Sequence, residues 1–442
     1  MSNDATPSRV HLNSAARVKA ARYVRTHLIH RRVDTPSSWW HNPVVAEIPG
    51  IIDKTGAQML ADLMPEIKKI GFDAVTFRPA LLDFYTSKKY LDRIIEAAHD
   101  AGLYAIVRLS GADFKPHLPP SLKPFYGAEE SASTTVTRAR VALKSGADGI
   151  DLGRIAENPQ RPDAKERLKK FSLLVRLLMI EIADFGDDRI LVAETRVEPE
   201  EFYRHHLEED WLHHLLDNRL QESPYDDRAI IRAIGETLAE RSQMGVPPVW
   251  KALNSRLIME PETPNNYPGS WEDEGTTERR ASIRIILASL PGAVYLPFGF
   301  TGGHAEFKGV AIRPSAPINE AEVQRSRHTQ LALALRKKYE LGNANLAWVS
   351  GLDWQEPGVG VLMSGPVMSV FNTSENEVFV PLENQLLLRS DSTKDWAVPA
   401  TETVLRTGPP HIFTTKQRGE QNTLAPGTTA WFAPPIVKAP NY

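Results

Sequence analysis

The sequence contains no cysteine. That excludes disulfides, thiolate zinc sites and cysteine nucleophiles, and it fits a reducing compartment. No run is apolar for long enough to span a bilayer. The opening stretch, MSNDATPSRVHLNSAARVKAARYVRTHLIHRR, lacks the apolar core of a signal peptide, so a cytoplasmic location is expected. Charge of either sign is nearly balanced, with a net value of −3. A general nucleic-acid binder or a polybasic membrane-surface protein is thereby disfavoured. Nor does a glycine-rich phosphate fingerprint follow the first expected strand, which argues against a dinucleotide-binding domain.

What is present is a chain of 442 residues, 42% hydrophobic and 24% charged, as in ordinary globular proteins. It is long enough for a barrel of about 250 residues or more with a smaller domain attached. Residues 1–37 read as a basic helical extension, with Val18, Ala21, Tyr23 and Val24 scattered among arginines. A surface helix packed outside the main domain is the expected form, and a transit peptide or docking arm is the alternative. From 38 to 342 short apolar runs alternate with helical patterns. PVVAEIPG, FDAVTFRP, LYAIVRLS, ADGIDLG, DRILVAET, LHHLLDNRL, PVWKALNS and AVYLPFG are eight candidate strands. Met59, Leu60, Leu63, Met64 and Ile67 recur at helical spacing between the first two, and several of the helical stretches close on glycine. Eight βα steps predict a closed parallel (β/α)8 TIM barrel, with an open doubly wound sheet as the fallback. Residues 343–442 change texture. Short runs rich in Val, Phe and Thr, broken by Gly, Pro and Asn, predict a C-terminal antiparallel β-sandwich domain.

The segment RHHLEEDWLHHLL brings together His205, His206, His213 and His214. Their spacing matches no zinc pattern, so they read as a solvated helix face. Exposed aromatic rings stack on sugars, which makes Trp39, Trp40, Tyr267, Trp271 and Phe298 a candidate platform. Trp39 and Trp40 are expected instead to pack beneath the first strand. Tyr267 and Trp271, in the long MEPETPNNYPGSWEDEGTTE loop, remain the candidate sugar contacts.

Three framework segments, SWWHNPVVAEIPG, DKTGAQMLADLMPEIKKIGFDAVTFRP and RRASIRIILASLPGAVYLPFG, closely resemble those of the α-amylase superfamily, glycoside hydrolase family 13. The resemblance runs over roughly residues 38–440. It implies retaining glycosidase chemistry at the C-terminal ends of strands three, four, five and seven. There one carboxylate attacks the anomeric carbon, a second serves as acid and then base, and a third holds the substrate. It also implies a sizeable domain inserted between strands three and four. Here that insertion is vestigial, reduced to about residues 111–140 with the Pro-rich KPHLPPSLKPFYG. The calcium ligands of the family lie mostly in that inserted domain, so no metal is expected despite Asp113, and no cofactor.

The catalytic motifs depart from the pattern. Strand four normally reads Asp-Gly-hydrophobic-Arg-hydrophobic-Asp. Here Asp151 stands in the arginine's place and Gly153 in the nucleophile's. Strand five keeps Glu194 where the general acid/base belongs. Strand seven, normally ending Asn-His-Asp, gives Asn254, Ser255 and Arg256. Strand three, normally an aspartate followed by Asn-His, gives Arg108, Ala112 and Asp113. Glycine cannot form a glycosyl ester, and arginines near a developing oxocarbenium ion oppose it. Asp151 or Glu194 is expected to pair with Arg108 or Arg256 in a structural network. The leading expectation is a catalytically degenerate homologue. Such a protein binds an α-glucan or small saccharide, or regulates or scaffolds a protein partner in glucan metabolism. Two alternatives stand beside it. One is an active glucosidase or glucosyltransferase using Glu194 as acid/base and Asp151 as a displaced nucleophile, since residues two apart on a strand face the same side. The other is a structural interaction protein without a sugar site.

Overall fold

The computed structural model describes residues 24–32, 38–48, 52–79, 88–109, 132–155, 162–197, 200–209, 211–251, 277–298, 320–380, 385–391 and 423–433. Its central feature is an eight-stranded parallel sheet. Strand β2 (Val44–Glu47) leads into α1 (Lys54–Ile70), and β3 (Ala74–Phe77) is followed by α2 (Lys89–Asp100). Then come β4 (Tyr104–Arg108), α3 (Ala132–Lys144), β5 (Gly149–Arg154), α4 (Ala164–Ala183) and β6 (Ile190–Glu194). Helix α5 (Glu200–Glu208) precedes β7 (His214–Leu216), and the short α6 (Arg219–Glu222) and α7 (Asp227–Met244) precede β8 (Val249–Lys251). Helix α8 (Thr277–Ala288), β9 (Ala293–Pro297) and α9 (Glu320–Lys338) complete the alternation. Hydrogen bonding runs in the order β7-β6-β5-β4-β3-β2-β9-β8. The two end strands, β7 and β8, meet, so the sheet is a nearly closed barrel.

Local chemistry explains where the elements start and stop. The Asp53 carboxylate accepts a hydrogen bond from the Gly56 amide at 2.7 Å and caps α1. Gly71 closes that helix in the left-handed conformation, φ 115°, behind Lys68 and Lys69, whose charges suit a helix C-terminus. The turn into β9 needs glycine on two counts. Gly292 has φ +90°, and a Cβ there would lie 2.0 Å from the Pro248 carbonyl oxygen.

Two apolar layers follow from the strand alternation. Outward-facing side chains such as Val44, Val75, Val107, Ile150 and Leu191 pack against the helices in the main core. Inward-facing ones, including Val45, Ala74, Ile106, Ile190, Val192 and Val249, fill the barrel itself. Trp39 and Trp40 close the end beneath the first strand, as expected. Trp39 stacks on Tyr104 with centroids 4.1 Å apart, and its indole N–H donates to the Asp188 carbonyl at 2.7 Å. Phe298 belongs to the main core, edge-on to Phe72, and is no sugar platform.

The antiparallel part is a six-stranded sheet and a two-stranded one. The larger orders β1 (Arg25–His30), β10 (Leu346–Ser350), β11 (Val359–Ser364), β12 (Val367–Asn372), β16 (Thr429–Ala433) and β14 (Gln385–Arg389). The smaller pairs β13 (Val378–Phe379) with β15 (Thr423–Leu424). Strand β1 corrects the helical reading of the N-terminal segment over residues 25–30. This stretch pairs antiparallel with β10, Arg25 opposite Ser350 and Leu28 opposite Ala347. Its alternation, RTHLIH, suits an edge strand that lends the sheet its backbone groups while showing basic side chains to water.

Candidate functional site

The C-terminal ends of the barrel strands carry charge where the layer beneath is apolar. Val45 and Glu47 share the inner face of β2, and Val249 and Lys251 that of β8. Arg108 closes β4, Asp151 lies on β5 and Glu194 closes β6. All five are buried, with Asp151 fully so. They form one chain of contacts. Arg108 Nε donates to Asp151 Oδ2 at 2.7 Å, and Arg108 Nη2 reaches Glu47 Oε1 at 3.5 Å. Lys251 Nζ bridges Glu47 Oε1 at 2.6 Å and Glu194 Oε2 at 2.9 Å. The second oxygen of Asp151 accepts from the Gly153 amide at 2.7 Å. Gly153 itself sits where the β5–β6 register slips, with φ +67°. A left-handed residue in a bulge turns its amide back on Asp151 and leaves no comfortable place for a side chain.

The electrostatics follow from this enclosure. Burial works against the Arg108 cation most strongly, but Asp151, Glu47 and Glu194 together outweigh it and hold its proton more tightly than water would. Lys251 is likewise opposed by burial and then carried above its ordinary range by Glu194 and Glu47. Neither cation is poised to give up a proton. Burial, reinforced by Asp151 and Glu47, raises the Tyr295 phenol well above its usual value. Its hydroxyl lies 2.8 Å from His214 Nδ1, while His214 Nε2 lies 2.6 Å from the Trp40 carbonyl. A carbonyl only accepts, so Nε2 carries the proton and Tyr295 donates to Nδ1. Buried without a partner among the described residues are Glu47 Oε2 and Thr76 Oγ1, on register-paired residues of β2 and β3.

This geometry, a parallel barrel with ionisable groups gathered at the strand C-termini and an antiparallel sheet after it, has known counterparts. An α-amylase from Anoxybacillus superposes with a TM-score of 0.55 at 11% identity, over 92% of this chain and all of its own. The α-amylase of Geobacillus thermoleovorans, in complex with acarbose, gives 0.53 at 11%, over 90% of this chain and 99% of that one. A debranching enzyme of Nostoc punctiforme gives 0.52 at 11%, over 89% and 98%. The chain has the α-amylase fold. No family model matches the sequence, and no curated protein matches it in sequence.

Within the α-amylase fold, the structure brings three of the residues singled out from the sequence into one network: Arg108, Asp151 and Glu194. Gly153 adjoins them through its amide. The expected Asp151–Arg108 pair is present. Glu194 meets Lys251, and its other expected partner, Arg256, lies outside the described residues. Asp113, Asn254, Ser255, Arg256, Tyr267 and Trp271 lie outside the described residues, as does the insertion around 111–131. Sequence reasoning missed Glu47 and Lys251. The signal was there: each is the single charge in an apolar strand, two residues beyond an inward-facing valine. The histidine segment also needs correction. His206 packs edge-on against Phe171, His213 against Trp40, and His214 fills the barrel, so this is no solvated face. Among the described residues no cluster of side chains suits a metal ion, and no helix is long and apolar enough to cross a membrane.

Proposed function

We propose that the chain is a catalytically degenerate α-amylase-fold protein of the cytoplasm. It works in α-glucan metabolism by binding a saccharide, or by regulating or scaffolding a glucan enzyme, without cleaving glycosidic bonds itself. The observation that carries this reading is the engagement of Asp151. One of its oxygens is held by Arg108 at 2.7 Å and the other by the Gly153 amide at 2.7 Å. A retaining glycosidase needs a carboxylate free to attack the anomeric carbon beside a second that cycles its proton. Gly153, in the nucleophile's place by resemblance, has no side chain. Glu194, in the acid/base place, is tied to the Lys251 ammonium. A firmly protonated lysine there opposes growth of positive charge on a sugar ring.

The test is a turnover assay on maltose, trehalose and maltooligosaccharides with purified protein, beside a Glu194→Gln control, followed by calorimetry with the same sugars. The expected result is no release of glucose above the control and heat of binding with at least one sugar. Turnover that vanishes in Glu194→Gln would instead establish Glu194 as a working acid/base. Absence of both turnover and binding would leave the scaffolding role.

A further inference from the structure

The outer face of α4 carries apolar residues where a barrel helix normally shows polar ones. Leu173, Leu177 and Ile180 are 58%, 40% and 61% exposed. They account for half of the large exposed hydrophobics among the described residues, and they fall on one stripe at spacings of four and three. Three exposed apolar side chains in line on one helix are a patch that calls for a cover, unlike single scattered ones.

The flanking charges say what the cover is. Toward the N-terminus the exposed face holds Lys165, Lys169 and Lys170, with Glu166 among them. Just past the C-terminus comes Asp184, with Asp187 and Asp188 in the turn that follows. If the helix lies antiparallel on a copy of itself about a two-fold axis at Leu177, Leu173 meets Ile180 and Leu177 meets Leu177. The same operation sets Lys169 and Lys170 opposite Asp184. Glu166, the acidic residue among these lysines, is held by Lys170 at 2.7 Å. The arginine nearest the axis, Arg176, is turned aside onto the Trp211 ring at 4.3 Å, leaving the leucine clear. A two-fold interface requires a surface complementary to itself, and a basic–apolar–acidic helix read in reverse is that surface.

We propose that α4 is a homodimerisation surface, two copies packing antiparallel through Leu173, Leu177 and Ile180 with the lysine end of each helix against the aspartate end of the other. This goes beyond the proposed saccharide or scaffolding role and does not depend on it.

Because the chain has no cysteine, a single introduced thiol reads the geometry directly. Sedimentation velocity across a concentration series, followed by mild oxidation of Leu177→Cys and of Lys165→Cys, gives the test. At about 1.5 Å rise per residue, position 177 lies on the axis, whereas the two copies of position 165 stand about 36 Å apart. The expected outcome is a dimer whose Leu177→Cys form becomes covalently linked while Lys165→Cys does not. Lys169→Glu/Lys170→Glu and Asp184→Lys should each be monomeric with unchanged circular dichroism, and should associate with one another when mixed. A wild-type chain that stays monomeric at 200 μM (about a thousandfold above a sub-micromolar Kd) would overturn the proposal. So would a dimer indifferent to the charge reversals, or one linked equally through both cysteines.

Discussion

Arg108 and Asp151 face each other on adjacent strands β4 and β5, Nε to Oδ2 at 2.7 Å, in a fully buried setting. In the pattern the sequence resembles, an aspartate stands in the first place and an arginine in the second. By that resemblance, the signs at the two places are exchanged here. An ion pair can survive such an exchange because attraction does not depend on which strand carries which charge. Under the proposed reading catalysis does not survive it, because the field at the barrel mouth reverses with it.

Reversal of one partner alone should therefore be severe. Asp151→Arg sets two guanidinium groups together, and Arg108→Asp gathers carboxylates around Glu47; each should lose about 3–5 kcal/mol of stability, the usual result of stranding a buried charge. The double variant Arg108→Asp/Asp151→Arg should recover part of that loss, though not all, because Arg108 also contacts Glu47 at 3.5 Å. Urea unfolding of the three variants beside the wild type gives the coupling energy. Strict additivity of the two single losses would show that the residues do not act as a pair.

Restoring a carboxylate at the nucleophile's place should not restore an enzyme. Gly153 has φ +67°, so Gly153→Asp places an L side chain in left-handed backbone at a cost of about 1–2 kcal/mol. It also brings a second carboxylate toward Asp151. A lowered urea midpoint with no glucose release is the expected outcome. A stable, active Gly153→Asp protein would mean that the bulge relaxes freely.

Stability should fall as the medium is acidified below neutrality, with the sign fixed by three histidines. Burial lowers His206 and His214 to about 3 and His213 to about 4, against an ordinary imidazole value of 6.5. Above pH 6.5 the rings are neutral in the folded and unfolded chain alike, and nothing is lost. Between pH 6.5 and about 4 the unfolded chain takes up protons that the folded chain refuses, so stability drops as pH falls. Each ring contributes at most about 1.4 kcal/mol per pH unit, or on the order of 2 kcal/mol at pH 5. Urea midpoints at pH 7.5 and pH 5.0 measure the sum, and His206→Gln should make the difference smaller by one ring's share. Imidazole NMR at pH 5 should show His214 still neutral with its proton on Nε2.

The barrel was readable in advance because its signal is local. Strands such as YAIVR and ILVAE are short apolar runs, and helices such as α1 carry their own caps. Asp151 and Glu194 were readable because period-two alternation aims them inward. Lys251 and Glu47 were overlooked because attention fell on motif positions further along the chain, while the charge nearest the apolar layer is the one strand geometry fixes. Strand β1 was misread for a different reason. Nothing within RTHLIH distinguishes an edge strand from an amphipathic turn of helix, and its partner β10 lies more than 300 residues away. The buried histidines were misread because a residue whose ring is polar when free is apolar in effect once it is neutral and enclosed.

The pairing of β1 with β10 also has a consequence for how the protein is made. Residues 25–30 leave the ribosome more than 300 residues before residues 346–350, and the edge they dock on does not exist until those have emerged. At the usual pace of translation, about 5–20 residues per second, the segment waits for something like 15 to 60 seconds with its strand-forming groups unclaimed. Its arginine and histidines keep it hydrated and discourage neighbours on the same polysome from claiming it first. The earliest described strand to be synthesised therefore finds its seat only after the whole eight-stranded parallel sheet has emerged.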